Sequence, residues 1–155
     1  MKVIFVEPIH VLNSKFYRNQ LLEANNYRNP DNFIDQEFEY PKVKLLKEVM
    51  DTTKSKMVLY TQARCCSQKI GSLIYKLNKY GLPDNYWLDT VPADGDQYQA
   101  LLKWMASNIY RNIQKYVILD SLGTGATSDR DPNVIWAREE GLTEALAQEL
   151  IEKLS

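Results

Sequence analysis

The chain has 155 residues, of which 45% are hydrophobic and 25% charged, and its formal net charge is -1. This size and composition predict a single soluble domain, spanning residues 1–155, with a full hydrophobic core. They exclude a general nucleic-acid binder, which would carry a basic excess. They also exclude a membrane partner, because no apolar run approaches the roughly 20 residues that cross a bilayer.

The chain opens with a predicted buried strand that runs into a tight turn. Lys2–Val6 is an apolar, β-branched run, and it is too short for a signal peptide because Glu7 and Pro8 interrupt it.

Residues 13–40 form an insertion after this strand that is rich in Asn, aromatic and charged residues, and a helix over residues 14–24 is the one regular element that we expect there. Insertions of this length are commonly lids or binding loops. We therefore expect either a lid or interaction segment above the first strand, or a surface segment that packs on the core.

Strand and helix signals alternate through the rest of the chain. The other strand signals are apolar runs at residues 56–61, 86–89, 115–120 and 133–137. Apolar side chains recur at helical spacing between them: Val43, Leu46, Val49 and Met50; Ile70, Leu73, Ile74 and Leu77; Tyr98, Leu101, Leu102, Met105 and Ile109. A last helix begins at the N-cap Thr143. This alternation predicts an α/β fold, a three-layer Rossmann-like sandwich with a mostly parallel central sheet and an insertion after the first strand.

Four stretches of the chain match family motifs in the expected order. Met1–Ser14 is similar to a strand followed by Asp-x-Asp-Gly-Val-Leu-Asn, and Met57–Arg64 to a strand that ends in Ser or Thr before Trp-Arg. Tyr116–Ser121 is similar to Tyr-Val-Ile-Leu-Asp-Asp, and Val134–Leu154 to a strand, Gly-Leu-Thr and a terminal helix. Together they resemble the haloacid dehalogenase-like superfamily, in particular the small cap-poor domain of bacterial and phage RNA-repair proteins. The likeness covers nearly the whole chain apart from residues 13–40.

The resemblance implies a phosphatase site whose chemical residues have changed. Where active relatives have a nucleophilic Asp and an acid–base Asp, this chain has Glu7 and Ile9. A displacement of about 1 Å in the attacking group costs on the order of a hundredfold, and acid–base help contributes roughly 10²–10⁴. The family's cation falls on Gln97, and its second acidic residue of the fourth motif on Ser121. These four changes predict a catalytically inactive domain that needs no cofactor.

Other binding residues are kept. The resemblance implies that Thr61 and Arg64 bind phosphate, and it matches Asp120 to the first acidic residue of the fourth motif. With Glu7 and His10, they form the predicted ligand-binding set, in which Glu7 and Asp120 would hold Mg²⁺ if residual activity persisted. A carboxylate–histidine pair could also act as a base or bind a transition metal. The simpler interpretation is one His at a turn beside a Glu that fills the vacated site.

Three further features have a functional and a structural interpretation. The adjacent Cys65 and Cys66 could be reactive thiols at a helix start or packing residues, and two neighbouring cysteines without metal-ligand spacing are typical of a reduced, cytoplasmic protein. Residues 123–126 resemble a phosphate loop but lack its Lys. The charged residues at 129–131 and 139–140 are typical of solvated loops.

Three functions fit these observations. The first is an inactive domain that binds a protein partner, or a phosphorylated small molecule or nucleotide, as an inhibitor, decoy or sponge. The second is a weak or altered Mg-dependent phosphatase that uses Glu7. The third is a structural subunit whose crevice is filled by Ile9, His10 and residues 13–40. The sequence leaves the ligand and the oligomeric state open.

Overall fold

The computed structural model describes residues 1–25, 38–60, 67–92, 96–121 and 131–155. Its strands are β1 Lys2–Val6, β2 Ser55–Leu59, β3 Trp87–Thr90, β4 Lys115–Ser121 and β5 Val134–Ala137. They form one sheet in the order β3-β2-β1-β4-β5, with every neighbouring pair parallel. The helices are α1 Pro8–Val11, α2 Lys15–Asn25, α3 Tyr40–Thr53, α4 Ser67–Lys79, α5 Gln97–Ser107 and α6 Glu144–Leu154. The predicted α/β sandwich is confirmed, and its sheet is parallel throughout.

The sheet separates two apolar layers of unequal size. Val6 and Leu59 belong to the larger layer, which also holds buried side chains of α3, α4 and α6. Phe5, Val58 and Ile118 belong to the smaller layer, into which α5 packs. Successive residues of a strand point to opposite faces, so strands covered on both faces need apolar residues at consecutive positions. This explains the continuous apolar runs of the sequence.

Helix α5 buries most of the face that its apolar spacing predicts, because Leu101 is buried and Tyr98 and Met105 pack against the smaller layer, and the exceptions are Leu102 and Ile109. Leu102 is 39% exposed and Ile109 is 81% exposed, and Ile109 lies beyond the helix in the 3₁₀ turn Ile109–Arg111. The buried large side chain is Trp104, whose ring meets that of Phe5 edge-on at a centroid distance of 5.4 Å. The buried face of α5 therefore includes Leu101 and Trp104, whereas Leu102 lies outside it.

The other segment boundaries lie within a few residues of the predicted ones. The helix predicted over residues 14–24 is α2, and the strand predicted over 86–89 is β3. Residues 26–37 of the 13–40 insertion, together with Cys65, Cys66 and residues 123–126, lie outside the described residues. Within the described ranges, no helix combines the length and the apolar character that a membrane span requires.

Candidate functional site

The strand order reverses between β1 and β4, because the chain proceeds from β1 to β2 and β3 and then returns to the other side of β1. Open α/β sheets bind ligands in the crevice at the carboxyl ends of such strands. Glu7 follows β1 directly, and Asp120 lies near the end of β4. Val6 pairs with Leu119, and the Glu7 amide donates to the Leu119 carbonyl at 3.0 Å. The structure therefore places Glu7 and Asp120 in neighbouring positions at this crevice.

The Glu7 carboxylate caps the short helix α1. Its Oε1 accepts a hydrogen bond from the Ile9 amide at 3.3 Å, and its Oε2 accepts one from the His10 amide at 2.9 Å. Pro8 occupies the first turn of the helix, where its fixed φ suits the conformation and its missing N–H has no intrahelical role. Glu7 is 2% exposed. Its two oxygens thus face amide donors of its own chain.

His10 stands beside this carboxylate at the rim of the crevice. Its Nδ1 lies 3.4 Å from Glu7 Oε2, and its side chain is 31% exposed whereas that of Glu7 is 3% exposed. The contact is an ion pair only when the imidazole is protonated. Glu7 and His10 are therefore adjacent, as predicted, and His10 is the more exposed of the two.

Asp120 and Ser121 end β4 as buried residues. Asp120 is fully buried, and its Oδ1 accepts a hydrogen bond from the Ser121 amide at 2.7 Å. Trp136 of β5 pairs with Asp120 in the strand register and is half-buried. The crevice therefore has a buried carboxylate on β4 with an indole next to it on β5.

Ile9 and Gln97, which the motif resemblance matches to an acid–base residue and a cation, have structural roles. Ile9 is 5% exposed and belongs to the larger apolar layer. Gln97 begins α5 and donates from Nε2 to the Tyr60 carbonyl at 3.3 Å, which joins the start of α5 to the end of β2. Neither side chain can carry a positive charge or act as the acid for a leaving group.

Only some of the residues predicted to bind a metal ion or phosphate lie within the described ranges. Thr61 and Arg64 fall outside the described residues. In the ranges that the structure describes, no three side chains among His, Cys, Asp and Glu gather into a metal site. Glu7 and Asp120 are thus a pair of carboxylates, which on its own is a thin ligand set for Mg²⁺.

Sequence reasoning missed a buried acidic residue near the start of α5. Asp131, predicted to lie in a solvated loop, is 4% exposed. Its Oδ2 accepts hydrogen bonds from the hydroxyls of Tyr98 at 2.8 Å and Tyr116 at 2.9 Å, and its Oδ1 from the Asn133 amide at 2.8 Å. The turn-forming sequence Asp-Pro-Asn was the available signal, because an Asp side chain often bonds the amide two residues on.

The surroundings of Tyr98 and Tyr116 in this cluster raise the pKa of both phenols. Burial, followed by the hydrogen bond to Asp131, raises the pKa of Tyr98 to about 12. Burial is also the main cause that raises the pKa of Tyr116. Both tyrosines therefore remain hydrogen-bond donors to the carboxylate at neutral pH.

Comparison with protein-family models, with curated proteins and with solved structures finds no match to this chain. The geometry of the crevice and the motif resemblance are therefore the grounds for a functional proposal.

Proposed function

We propose that this chain is a catalytically inactive domain of the haloacid dehalogenase-like type that binds a phosphorylated small molecule or nucleotide at the crevice between β1 and β4. The observation that carries the proposal is the position of the Glu7 carboxylate. A nucleophile must present an oxygen in line with the phosphorus atom. The oxygens of Glu7 instead accept hydrogen bonds from the amides of Ile9 and His10, and the residue is 2% exposed.

The roles of Ile9 and Gln97 support the same proposal. General acid catalysis needs a titratable group near the leaving oxygen, and electrostatic catalysis needs a cation or donor aimed at the developing charge. Ile9 packs in the apolar core, and the amide of Gln97 donates to the backbone of Tyr60. Binding could persist without these functions, whereas phosphoryl transfer would lose most of its rate.

A phosphorylated ligand at this position needs a positive charge near two carboxylates. Glu7 and Asp120 are buried at neighbouring positions of the crevice, and carboxylates there, when ionised, would repel phosphate. The resemblance assigns the compensating charge to Arg64. A protonated His10, which is partly exposed at the rim, would add to it.

The test combines turnover and binding measurements. Wild-type protein and Glu7→Gln, which keeps an acceptor oxygen for the α1 amides, are assayed with p-nitrophenyl phosphate and with nucleotides, with and without Mg²⁺. We expect no turnover by either protein. Calorimetry with the same nucleotides should detect binding that Arg64→Ala weakens by about tenfold or more, the effect of losing one charge-assisted contact. The matched control Lys79→Ala, at the C-terminal end of α4, should bind as the wild type does.

The adjacency of Glu7 and Asp120 favours a second candidate, a weak Mg-dependent phosphatase. Mg²⁺-dependent turnover that disappears in Glu7→Gln would establish this candidate and refute the inactive domain. The absence of both turnover and nucleotide binding would refute ligand binding at the crevice. It would leave a subunit whose crevice is filled by its own side chains, or one that recognises a protein partner.

A further inference from the structure

Trp136 differs from the other two tryptophans of the chain in its contacts. Trp104 belongs to the smaller apolar layer, and its indole N–H donates to Asp89 Oδ2 at 2.8 Å. Trp87 packs against the larger layer, and its N–H donates to Thr90 Oγ1 at 3.2 Å. Among the described residues, Trp136 packs on neither layer and its N–H has no acceptor. Because Trp136 is only half-buried, part of its indole surface is accessible and has no role in the core.

Trp136 lies at the crevice, beside Asp120. The two residues pair in the parallel register of β4 and β5. Leu119 and Ile135, which precede them, belong to the larger layer. Because successive residues of a strand point to opposite faces, Asp120 and Trp136 point to the face of the smaller layer. Val134 is the residue of β5 that packs on this layer, two positions before Trp136, so the indole lies beyond the apolar surface beneath α5.

The distance from the proposed phosphate position to Trp136 suits a nucleotide. Val6 pairs with Leu119, so Glu7 is level with Asp120 and therefore with Trp136 in the register of the sheet. Neighbouring strands lie about 4.8 Å apart, and the two spacings from β1 to β5 make about 10 Å. In a nucleotide, the sugar holds the base at a comparable distance from the phosphate. A ligand with its phosphate beside Glu7 can therefore place its base on the indole.

Stacking on an aromatic side chain is favourable for every base, because each base has a π-face. A sugar phosphate without a base has no flat ring that could cover the indole. We propose that the ligand of the crevice is a nucleotide whose base stacks on Trp136. This inference rests on the proposed function, in which the crevice binds a phosphorylated ligand, and it narrows that ligand to compounds with an aromatic base.

Calorimetric titration with AMP, GMP, CMP and ribose 5-phosphate tests the base contact, because ribose 5-phosphate has the sugar and the phosphate without a base. We expect each nucleotide to bind at least about tenfold more tightly than ribose 5-phosphate. Trp136→Leu should remove this difference and leave the affinity for ribose 5-phosphate unchanged. Trp136→Phe keeps an aromatic ring and should retain most of the difference. Tyr75→Leu is the control, since Tyr75 is 70% exposed on α4, and it should change no affinity.

The same titrations separate this inference from the proposed function. Equal affinities of the wild type for AMP and ribose 5-phosphate would overturn the base contact and leave phosphate binding at the crevice intact. A preference for AMP that persists in Trp136→Leu, with circular dichroism showing that the variant folds, would do the same. Binding of no phosphorylated ligand would refute both. Arg64→Ala should weaken AMP and ribose 5-phosphate equally, whereas Trp136→Leu should weaken AMP alone.

Discussion

Glu7 and Asp131 are buried carboxylates that are stabilised by different donors. Glu7 accepts hydrogen bonds from amides of α1, and Asp131 accepts them from two phenols and one amide. An ionised carboxylate without such donors would cost several kcal/mol to bury, so each of these residues depends on the donors around it. At the residue scale, stability therefore responds to the loss of a single donor.

Tyr98→Phe tests the Asp131 cluster. Removing one of three donors to a buried carboxylate should lower the free energy of unfolding by about 1.5–3 kcal/mol at neutral pH. Tyr98 has its pKa raised to about 12, above the value of about 10 for an unfolded tyrosine. The unfolded state therefore loses this proton first, and the stability that is present below about pH 10 is lost as the pH rises towards 12.

Urea unfolding across this pH range measures both effects. The wild type should lose stability more steeply with pH than Tyr98→Phe, which lacks the titrating phenol. The exposed Tyr75→Phe should match the wild type at every pH. Parallel curves for the wild type and Tyr98→Phe would contradict the coupling between Tyr98 and Asp131.

At the scale of elements, the turn between β5 and α6 joins distant parts of the chain. Gly141 pairs with Arg138 as an isolated antiparallel bridge, and the next amide, that of Leu142, donates to the Val11 carbonyl at 2.7 Å. The turn thus attaches the end of α1, and with it the Glu7 cap, to the start of α6. It can do so because Gly141 adopts a φ of 70°, which side chains disfavour.

Gly141→Ala should therefore be destabilising. An added Cβ would lie 2.7 Å from the Val11 carbonyl oxygen and 2.8 Å from that of Asn13, at a positive φ. We expect a loss of at least about 1–3 kcal/mol in the free energy of unfolding, measured by urea denaturation. Gly71→Ala is the control, because a Cβ at this position in α4 meets nothing within 4 Å. It should raise the stability by about 0.5–1 kcal/mol, and equal effects of the two variants would contradict the strain at Gly141.

At the scale of the whole molecule, one sheet connects all the described segments. β3 and β5 form its two edges, and the strands between them contribute side chains to both apolar layers. Trp87 lies on one edge and Trp136 on the other. Because both edge strands pack against the larger apolar layer, we expect the chain to unfold as a single cooperative unit.

Variants that retain only Trp87 or only Trp136, with the other tryptophans changed to Phe, test this cooperativity. Within each variant, the urea midpoint from fluorescence should coincide with the midpoint from far-UV circular dichroism. A fluorescence midpoint at one edge that precedes the loss of secondary structure would contradict a single domain over residues 1–155.

Much of the fold could be predicted from local patterns. The apolar run at Lys2–Val6 and its counterparts have the composition of doubly covered strands, and the helical spacing between them implies parallel crossovers. Since parallel strands end at one edge of a sheet, Glu7 and Asp120 could be expected at a common crevice from their places in the sequence. The family resemblance of this crevice remains a prediction.

The sequence by itself determined the α/β class, the approximate element boundaries and the residues at the strand ends, because these depend on neighbours close in the chain. Only the tertiary structure decided that Glu7 caps α1, that Asp131 is buried against Tyr98, and that Leu102 of α5 faces solvent while Trp104 is buried. The last two outcomes depend on contacts between residues far apart in sequence, such as the packing of Trp104 on Phe5. The Glu7 cap joins neighbouring residues, but the same carboxylate could instead have faced the crevice. Which of the two arrangements forms depends on how the residue is buried in the folded core, and the spacing of apolar residues in the sequence does not indicate it.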